Sequence, residues 1–372
     1  MDKKFDEIRP YNDSEVRRAV KRMAISSTTY MFEDFLFADK GHGYLTSLLM
    51  DIKGVEDFQT KVMTQIVDRT EELTTDGLTV SGIDNFKKED GSIGKYLLLS
   101  SHRDIVLDPA FVQIILHKNG IPMTEIAAGD NLVDVPSVGD LIRSNRMITV
   151  KRSGSVKELY SSAALLSEYI REKLKNQMCS IWLAQKQGRS KDGHDATEQG
   201  VLKMLSMSGS GSFVEDFAEL HIMPMAVSYE YETCGAMKAQ ELLVRKRDGF
   251  YKKRQGEDLV SMINGIQQYK GRVHIEFCKP LTLEELQEAD KAEKNEKFRV
   301  LASIIDSHIL PAFKLWPSNY VAADMLTHSN RYSDYYTRKE KEAFIAHIDK
   351  ELKNKPEEMR EILLSIYAAH IL

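Results

Sequence analysis

The chain has too few cysteines for a disulfide framework. There are three in 372 residues, Cys179, Cys234 and Cys278, scattered through apolar or strand-like surroundings, which points to a reducing compartment. No apolar run approaches the ~20 residues of a membrane-spanning helix, so the expectation is a protein in solution or on a membrane surface. The first ten residues, MDKKFDEIRP, lack an apolar core and do not read as a signal peptide. A basic excess is missing too. The 51 Lys and Arg stand against 56 Asp and Glu, a net charge of -5, which argues against nucleic-acid binding and makes any anion site local. No histidine has a partner at metal-ligand spacing, so no metal site is expected. Ser208 to Ser212, SGSGS, has neither a Gly-x-Ser-x-Gly elbow nor a Gly-Lys-Ser phosphate loop, and reads as a flexible loop.

What is present is enough for a large core: 42% hydrophobic and 29% charged residues. The first quarter has helical periodicity, beginning with Asp13-Ser14 as a cap for a face of Val16, Val20, Met23 and Ala24. From Leu78 the pattern changes. Strands alternate with helices: Leu78 to Val80, Tyr96 to Ser100, Thr124–Ala128, Met147–Val150, Ser180–Ala184, Ile222–Tyr229 and Arg272–Phe277. The first two are joined by a polar, hairpin-like link, KKEDGSIGK. The expected fold is α/β, a central mixed sheet flanked by helices with helical N-terminal and C-terminal additions. The expected division is a helical region 1–76, an α/β domain 77–316 and a helical tail 317–372, with Trp316-Pro317-Ser318-Asn319 as punctuation. Glu284 to Lys297 is a charged stretch that suits a solvated helix or linker.

Four strand-end blocks follow one another. The first, KYLLLSSHRDIVLDPAF, places Ser101 and His102 where a buried strand runs out, at the edge where open α/β sheets present ligand sites. Asp108-Pro109 then reads as a cap and first-turn proline. The second, Ala127 to Ser155, contains Gly129-Asp130-Asn131-Leu132 and ends in Lys151-Arg152 just past a strand. The third, Ser180 to Gly193, carries Gln187-Gly188-Arg189-Ser190. The fourth, HIMPMAVSYEY, is a strand with Pro224 near its start, a residue that otherwise marks an edge strand.

In this order and spacing the blocks resemble the glycerolipid acyltransferase superfamily, which includes glycerol-3-phosphate, dihydroxyacetone-phosphate and lysophosphatidate acyltransferases. The resemblance covers about Leu78 to Pro280, and GDNL…VKRS looks most like the bacterial glycerol-3-phosphate branch. There are two departures. Five residues, Arg103 to Leu107, separate His102 from Asp108 where the family has four, which leaves Asp104 as a rival partner. Gln187 stands where the family has glutamate, keeping hydrogen bonding but losing charge.

The resemblance implies that His102 is the general base for an acceptor hydroxyl, with Asp108 fixing its tautomer. Backbone N–H groups after Asp108 would hold the oxyanion. Arg152 and Arg189 would grip an acceptor phosphate, seconded by Lys151, Arg103 and Ser190, while Asp104, Gln187, Gly188, Gly129 and Pro224 would support the site. No bound cofactor is implied; acyl-CoA or acyl carrier protein serves as co-substrate. The expected location is cytoplasmic, peripheral at the inner face of the cell membrane. Arg245, Lys246, Arg247, Lys252, Lys253 and Arg254, around Phe250-Tyr251, form a basic cluster that reads as a solvated loop or as a contact for anionic membrane or an acidic carrier protein. Two rival functions stay open: a catalytically impaired lipid-binding relative, and a hydrolase using the same pair on water.

Overall fold

The computed structural model describes residues 3–133, 136–294 and 296–372. Positions 134 and 135 of the second block, and 295 of the charged stretch, lie outside the described residues. One sheet organises the molecule. Its strands are β1 (Leu78–Ser81), β2 (Leu97–Ser100), β3 (Glu125–Gly129), β4 (Met147–Val150), β5 (Ile181–Ala184), β6 (Ile222–Tyr229) and β7 (Val273–Phe277). They lie in the order β1-β7-β6-β2-β5-β3-β4. All neighbours are parallel except β6 and β7, so β2 to β6 end on one edge and β1 and β7 run the other way. The fold is the expected mixed sheet flanked by helices.

The expected hairpin does not pair β1 with β2. Only Lys87 and Ile93 bridge within the link, and β1 instead pairs with β7. Nor is β6 an edge strand. Leu99 of β2 lies opposite Pro224, whose C=O accepts from Cys278 N at 2.9 Å. Proline has no N–H to return, which ends the antiparallel ladder there without exposing the strand.

The helices are α1 (Asp13–Met23), α2 (Ser27–Leu36), α3 (Tyr44–Met50), α4 (Val55–Asp57), α5 (Thr64–Thr74), α6 (Leu107–Lys118), α7 (Pro136–Ser144), α8 (Val156–Lys175), α9 (Gln199–Ser206), α10 (Phe213–Ala218), α11 (Gly235–Asp248), α12 (Glu257–Gln267), α13 (Leu283–Asp290), α14 (Lys297–Ala312), α15 (Pro317–Leu326), α16 (Arg338–Glu351) and α17 (Glu358–Ala368). A π-helical stretch, Phe58–Met63, joins α4 to α5. The cap of α1 is Asn12 rather than Asp13 or Ser14: its side chain accepts from the N–H groups of Ser14 and Glu15.

Leu97, Leu98 and Leu99 are wholly buried because both faces of the sheet are covered. On one face Leu97, Leu99, Ile181 and Leu183 pack with Ile170 of α8, Leu205 of α9 and Ile305 of α14. On the other, Leu98, Trp182 and Met225 pack with Phe111 and Ile115 of α6 and Ile266 of α12. The N-terminal helices bury their own cluster around Val20, Leu49 and Phe58. A further cluster joins α11 to α15, α16 and α17 through Leu243, Val321, Phe344 and Leu363. Trp316-Pro317 falls at the break between α14 and α15, where Pro317 opens the second helix as first-turn proline permits. The three cysteines are buried and unpaired.

Candidate active site

At the common strand edge, β2 delivers His102 two residues past its end. Its Nδ1 lies 2.9 Å from Asp108 Oδ2. Asp108 sits inside the first turn of α6, not at its cap. Val106 is the cap residue, and Asp104 closes the turn ahead of it, its Oδ1 accepting from the N–H groups of Val106 and Leu107, each at 2.9 Å. The extra residue before Asp108 is thereby accommodated in the turn, and Asp104 is a turn residue rather than the partner of His102. Of the backbone positions just after Asp108, Pro109 has no N–H and Ala110 N donates to Val106 O at 3.1 Å, so neither offers a free donor to an oxyanion.

The Asp108 carboxylate is fully buried and fully engaged. Besides His102, its Oδ2 accepts from Arg103 N at 2.6 Å and Asp104 N at 2.9 Å, and its Oδ1 accepts from the Tyr229 hydroxyl at 2.7 Å. Tyr229, at the C-terminal end of β6, lay within the fourth sequence block without being singled out. Its hydroxyl pKa is pushed well above the ordinary value by burial and by the adjacent Asp108, so it remains a donor. An anionic Asp108 facing Nδ1 places the proton there and leaves Nε2 with its lone pair. The Trp182 ring stands edge-on to the imidazole, with ring centroids 5.5 Å apart.

His102 opens onto a cleft of about 450 Å³ whose lining includes Arg152, Lys186, Arg189, Lys191, Arg245 and Lys253. Lys186 donates to His194 O at 2.7 Å, and each of the other five cations has a structural reason for its place. Arg152 follows β4 and lies against Gly129 at the end of β3. A Cβ on Gly129 would come within 2.4 Å of Arg152 Nε, so a bare backbone is what admits the guanidinium. Arg189 follows β5 beyond the turn at Gly188, which has φ +80°. Its side chain is buried, and its Nη1 has no hydrogen-bond partner among the described residues. A buried guanidinium N–H without a partner in a cleft is a place for an anion. The buried Glu241 of α11 accepts from both Lys191 and Arg245. Asp258 accepts from Lys253 at 2.6 Å and from Asn131 at 2.8 Å. Glu198 accepts from the backbone N–H of Gln187 at 3.1 Å, which brings a carboxylate to the cleft beside the amide.

A second, apolar cavity of about 100 Å³ adjoins the first. Phe32, Met63, Leu141 and Met262 line it, and Ile105, Pro109, Ile126, Ala128 and Leu132 border both spaces. The turn between His102 and α6 is therefore a partition between a cationic and an apolar chamber.

Residues 77–228 match the family model described as Acyltransferase. Over this segment the chain resembles the acyltransferase family. The chain is 25% identical over 190 residues to the dihydroxyacetone phosphate acyltransferase of Bos taurus, covering 51% of this chain and 27% of that protein. It is 24% identical over 266 residues to the glycerol-3-phosphate acyltransferase of Pseudomonas fluorescens (strain SBW25), covering 68% of this chain and 30% of that protein. The match thus spans less than a third of the length of either relative. Among solved structures, the 1-acyl-sn-glycerophosphate acyltransferase of Thermotoga maritima aligns at 12% identity and a TM-score of 0.40, over 79% of this chain and 93% of that one.

Around the cleft the geometry groups the expected residues unevenly. His102, Gly129, Arg152, Gln187, Gly188 and Arg189 share the cleft. Arg103 does not: only 2% exposed, it points into the protein toward Asp195 and Glu232, because its buried charge is neutralised there. Ser190 is also buried, donating Oγ–H to His194 O and N–H to His102 O, so it ties the third block to the first. Lys151 stays outside, 3.9 Å from Glu158. Pro224 lies in the sheet interior. The basic cluster divides. Arg245 and Lys253 belong to the cleft wall, whereas Lys246, Arg247, Lys252 and Arg254 are exposed beyond it. Its first part is the last turn of α11, a favourable place for cations, rather than a loop. Among the described residues no group of three or more His, Cys, Asp or Glu side chains could hold a metal ion.

Proposed function

We propose that the chain is a glycerolipid O-acyltransferase that moves a fatty acyl group from a thioester to a free hydroxyl of glycerol 3-phosphate or its 1-acyl derivative. One observation carries the reading: His102, oriented by Asp108, stands where a cationic cleft meets an apolar cavity. A phosphate-bearing acceptor suits the first chamber and an acyl chain the second. The GDNL block tilts the acceptor toward glycerol 3-phosphate.

Chemistry follows from the lone pair on Nε2. The acceptor hydroxyl gives its proton to Nε2 as its oxygen attacks the thioester carbonyl, so no enzyme nucleophile is needed. Asp108 stabilises the imidazolium that forms. Collapse of the tetrahedral intermediate forms the ester, breaks the C–S bond, and lets the departing sulfur take the proton back. Arg152 and Arg189 would fix the acceptor phosphate, Arg189 through its unpartnered Nη1. The donor is acyl-CoA or acyl carrier protein, with Lys191, Arg245 and Lys253 as the cationic wall facing its phosphate. Among the described residues no helix is long and apolar enough to cross a membrane. The cations beyond the cleft, with Phe250 at 70% exposure between them, suit an anionic lipid surface on the cytoplasmic side.

A thiol-release assay with acyl-CoA and with acyl carrier protein, run against glycerol phosphates and lysolipids, tests this. Acceptor-dependent thiol release with ester formation is the expected result. Thiol release with free fatty acid and no acceptor dependence would make the protein a hydrolase. Lipid binding without thiol release would make it a binding protein.

A further inference from the structure

The residue next to His102 carries a buried arrangement that the reaction above does not use. Arg103 Nη2 lies 2.6 Å from Asp195 Oδ2, 2.9 Å from Gly193 O and 2.7 Å from His370 Nε2. Its Nη1 is 3.3 Å from Glu232, which also pairs with Lys238. His370 follows α17 and is itself 3.2 Å from Asp195 Oδ2. Its ring stacks on Phe313 at 3.9 Å between centroids, and the Arg103 guanidinium lies over that same Phe313 ring.

Such a cluster is a poor way to gain stability. Burial works against the Arg103 charge and is outweighed by Asp195 and Glu232 acting together, which leave its pKa raised. Arg103 Nε and Asp195 Oδ1 remain buried without hydrogen-bond partners. Replacing buried ion pairs by packed apolar groups is often neutral or stabilising, so the arrangement calls for another purpose. Its effect on the backbone supplies one. The Arg103 N–H donates to Asp108 Oδ2, the oxygen that holds His102 Nδ1. The Arg103 C=O accepts from Lys238 Nζ at 2.8 Å and Thr233 Oγ1 at 3.2 Å. On the other side, His102 O accepts from Ser190 N at 2.6 Å. Both sides of the His102–Arg103 peptide, the His102 C=O and the Arg103 N–H, are held, and the Arg103 side chain is held by residues 92 and 267 positions away.

We propose that Asp195 and His370 are positioning residues for acyl transfer. They anchor the Arg103 side chain, which fixes the peptide that orients Asp108 and, through it, the His102 imidazole. The proposal rests on the acyl-transfer reading but is separable from it. His370→Phe keeps an aromatic ring over Phe313 and removes the contact with Arg103 and Asp195; His370→Gln restores a polar contact.

In the full chain, His370→Phe and Asp195→Asn are expected to lower kcat about 10- to 100-fold with acceptor KM unchanged, the pattern of a base out of alignment. His370→Gln should recover most of the loss. Independently of turnover, the His102 Nδ1–H proton resonance of 15N-histidine-labelled protein should shift or broaden in His370→Phe and Asp195→Asn, but not in Arg338→Ala on the exposed face of α16. Variants that melt like wild type with unchanged kcat and an unchanged His102 signal would overturn the proposal. Variants that do not fold leave His370→Gln as the decisive case: if it folds with normal melting yet is as slow as an alanine at the same position, the polar contact is not what matters and the proposal fails. A wild-type protein inert toward every acceptor would remove the acyl-transfer reading, while the His102 resonance would still decide the anchoring.

Discussion

The two chambers that meet at His102 are built in opposite ways. The cleft is walled by cations held on buried or half-buried carboxylates, Lys191 and Arg245 on Glu241 and Lys253 on Asp258, so its charge is fixed before any ligand arrives. The cavity beside it is walled by side chains from the N-terminal helices, α6, α7 and α12, with almost no polar groups facing it. Ile105 and Pro109 belong to both. A molecule using both chambers has one charged end and one apolar end, with its reacting centre at the partition. That is a stricter requirement than either chamber imposes alone.

The largest test removes the partition's chemistry. His102→Ala should lower acyl transfer by about 10²–10⁴ with the fold intact, measured as acceptor-dependent thiol release. Its neighbours sharpen the point. Asp108→Asn should be similarly severe in turnover, whereas Asp104→Ala should mainly cost about 1 kcal/mol of stability by removing the acceptor for the Val106 and Leu107 N–H groups. Near-normal turnover in both His102→Ala and Asp108→Asn would take the centre out of the reading.

Next comes the cationic chamber alone. Arg152→Ala or Arg189→Ala should raise acceptor KM about 10- to 100-fold, since a charge-assisted contact is worth ~1.5–3 kcal/mol. Lysine should rescue poorly because it lacks the planar fork. An unchanged acceptor KM in both alanine variants would return these arginines to a structural role. In the apolar chamber, Ala110→Leu fills space on the α6 wall and should shift preference several-fold toward shorter acyl donors, at about 1–3 kcal/mol of overpacking. Acceptor KM should stay put; a matching rise there would mean the chambers are not divided as described.

The smallest effect on turnover belongs to the outer cations. Neutralising Lys246, Arg247, Lys252 and Arg254 should weaken cosedimentation with anionic vesicles, by about 1 kcal/mol per cation and in a salt-dependent way. Turnover of soluble substrates should not change. A loss confined to acyl carrier protein would reassign the patch to carrier docking.

How much of this could be read in advance depended on range. His102 and Asp108 are six residues apart, and a strand end, a turn and a first-turn proline are local signals. Arg152 and Arg189 were legible through the family resemblance of their blocks, and the parallel strands bring both to one cleft. Arg103 was misplaced for the opposite reason: nothing near it announces that residues 195, 232 and 370 bury it. The apolar cavity was invisible because its walls come from segments as far apart as Phe32 and Met262. Tyr229 sat within a quoted strand, but which strand end would reach Asp108 depends on β6 lying beside β2, a matter of sheet order. The link between β1 and β2 looked like a hairpin because a local turn is real at Lys87 and Ile93, while the partner of β1 is almost two hundred residues later.

The bond between Arg103 and His370 spans 267 positions of sequence. During synthesis a chain emerges from its N-terminus, and early segments fold first. The His102–Asp108 pair is thus available long before the turn after α17 exists to steady it. A nascent chain still lacking α17 carries the imidazole without the contact to His370. On the anchoring proposed above, full reactivity follows the docking of α17, a late event in the folding of the chain.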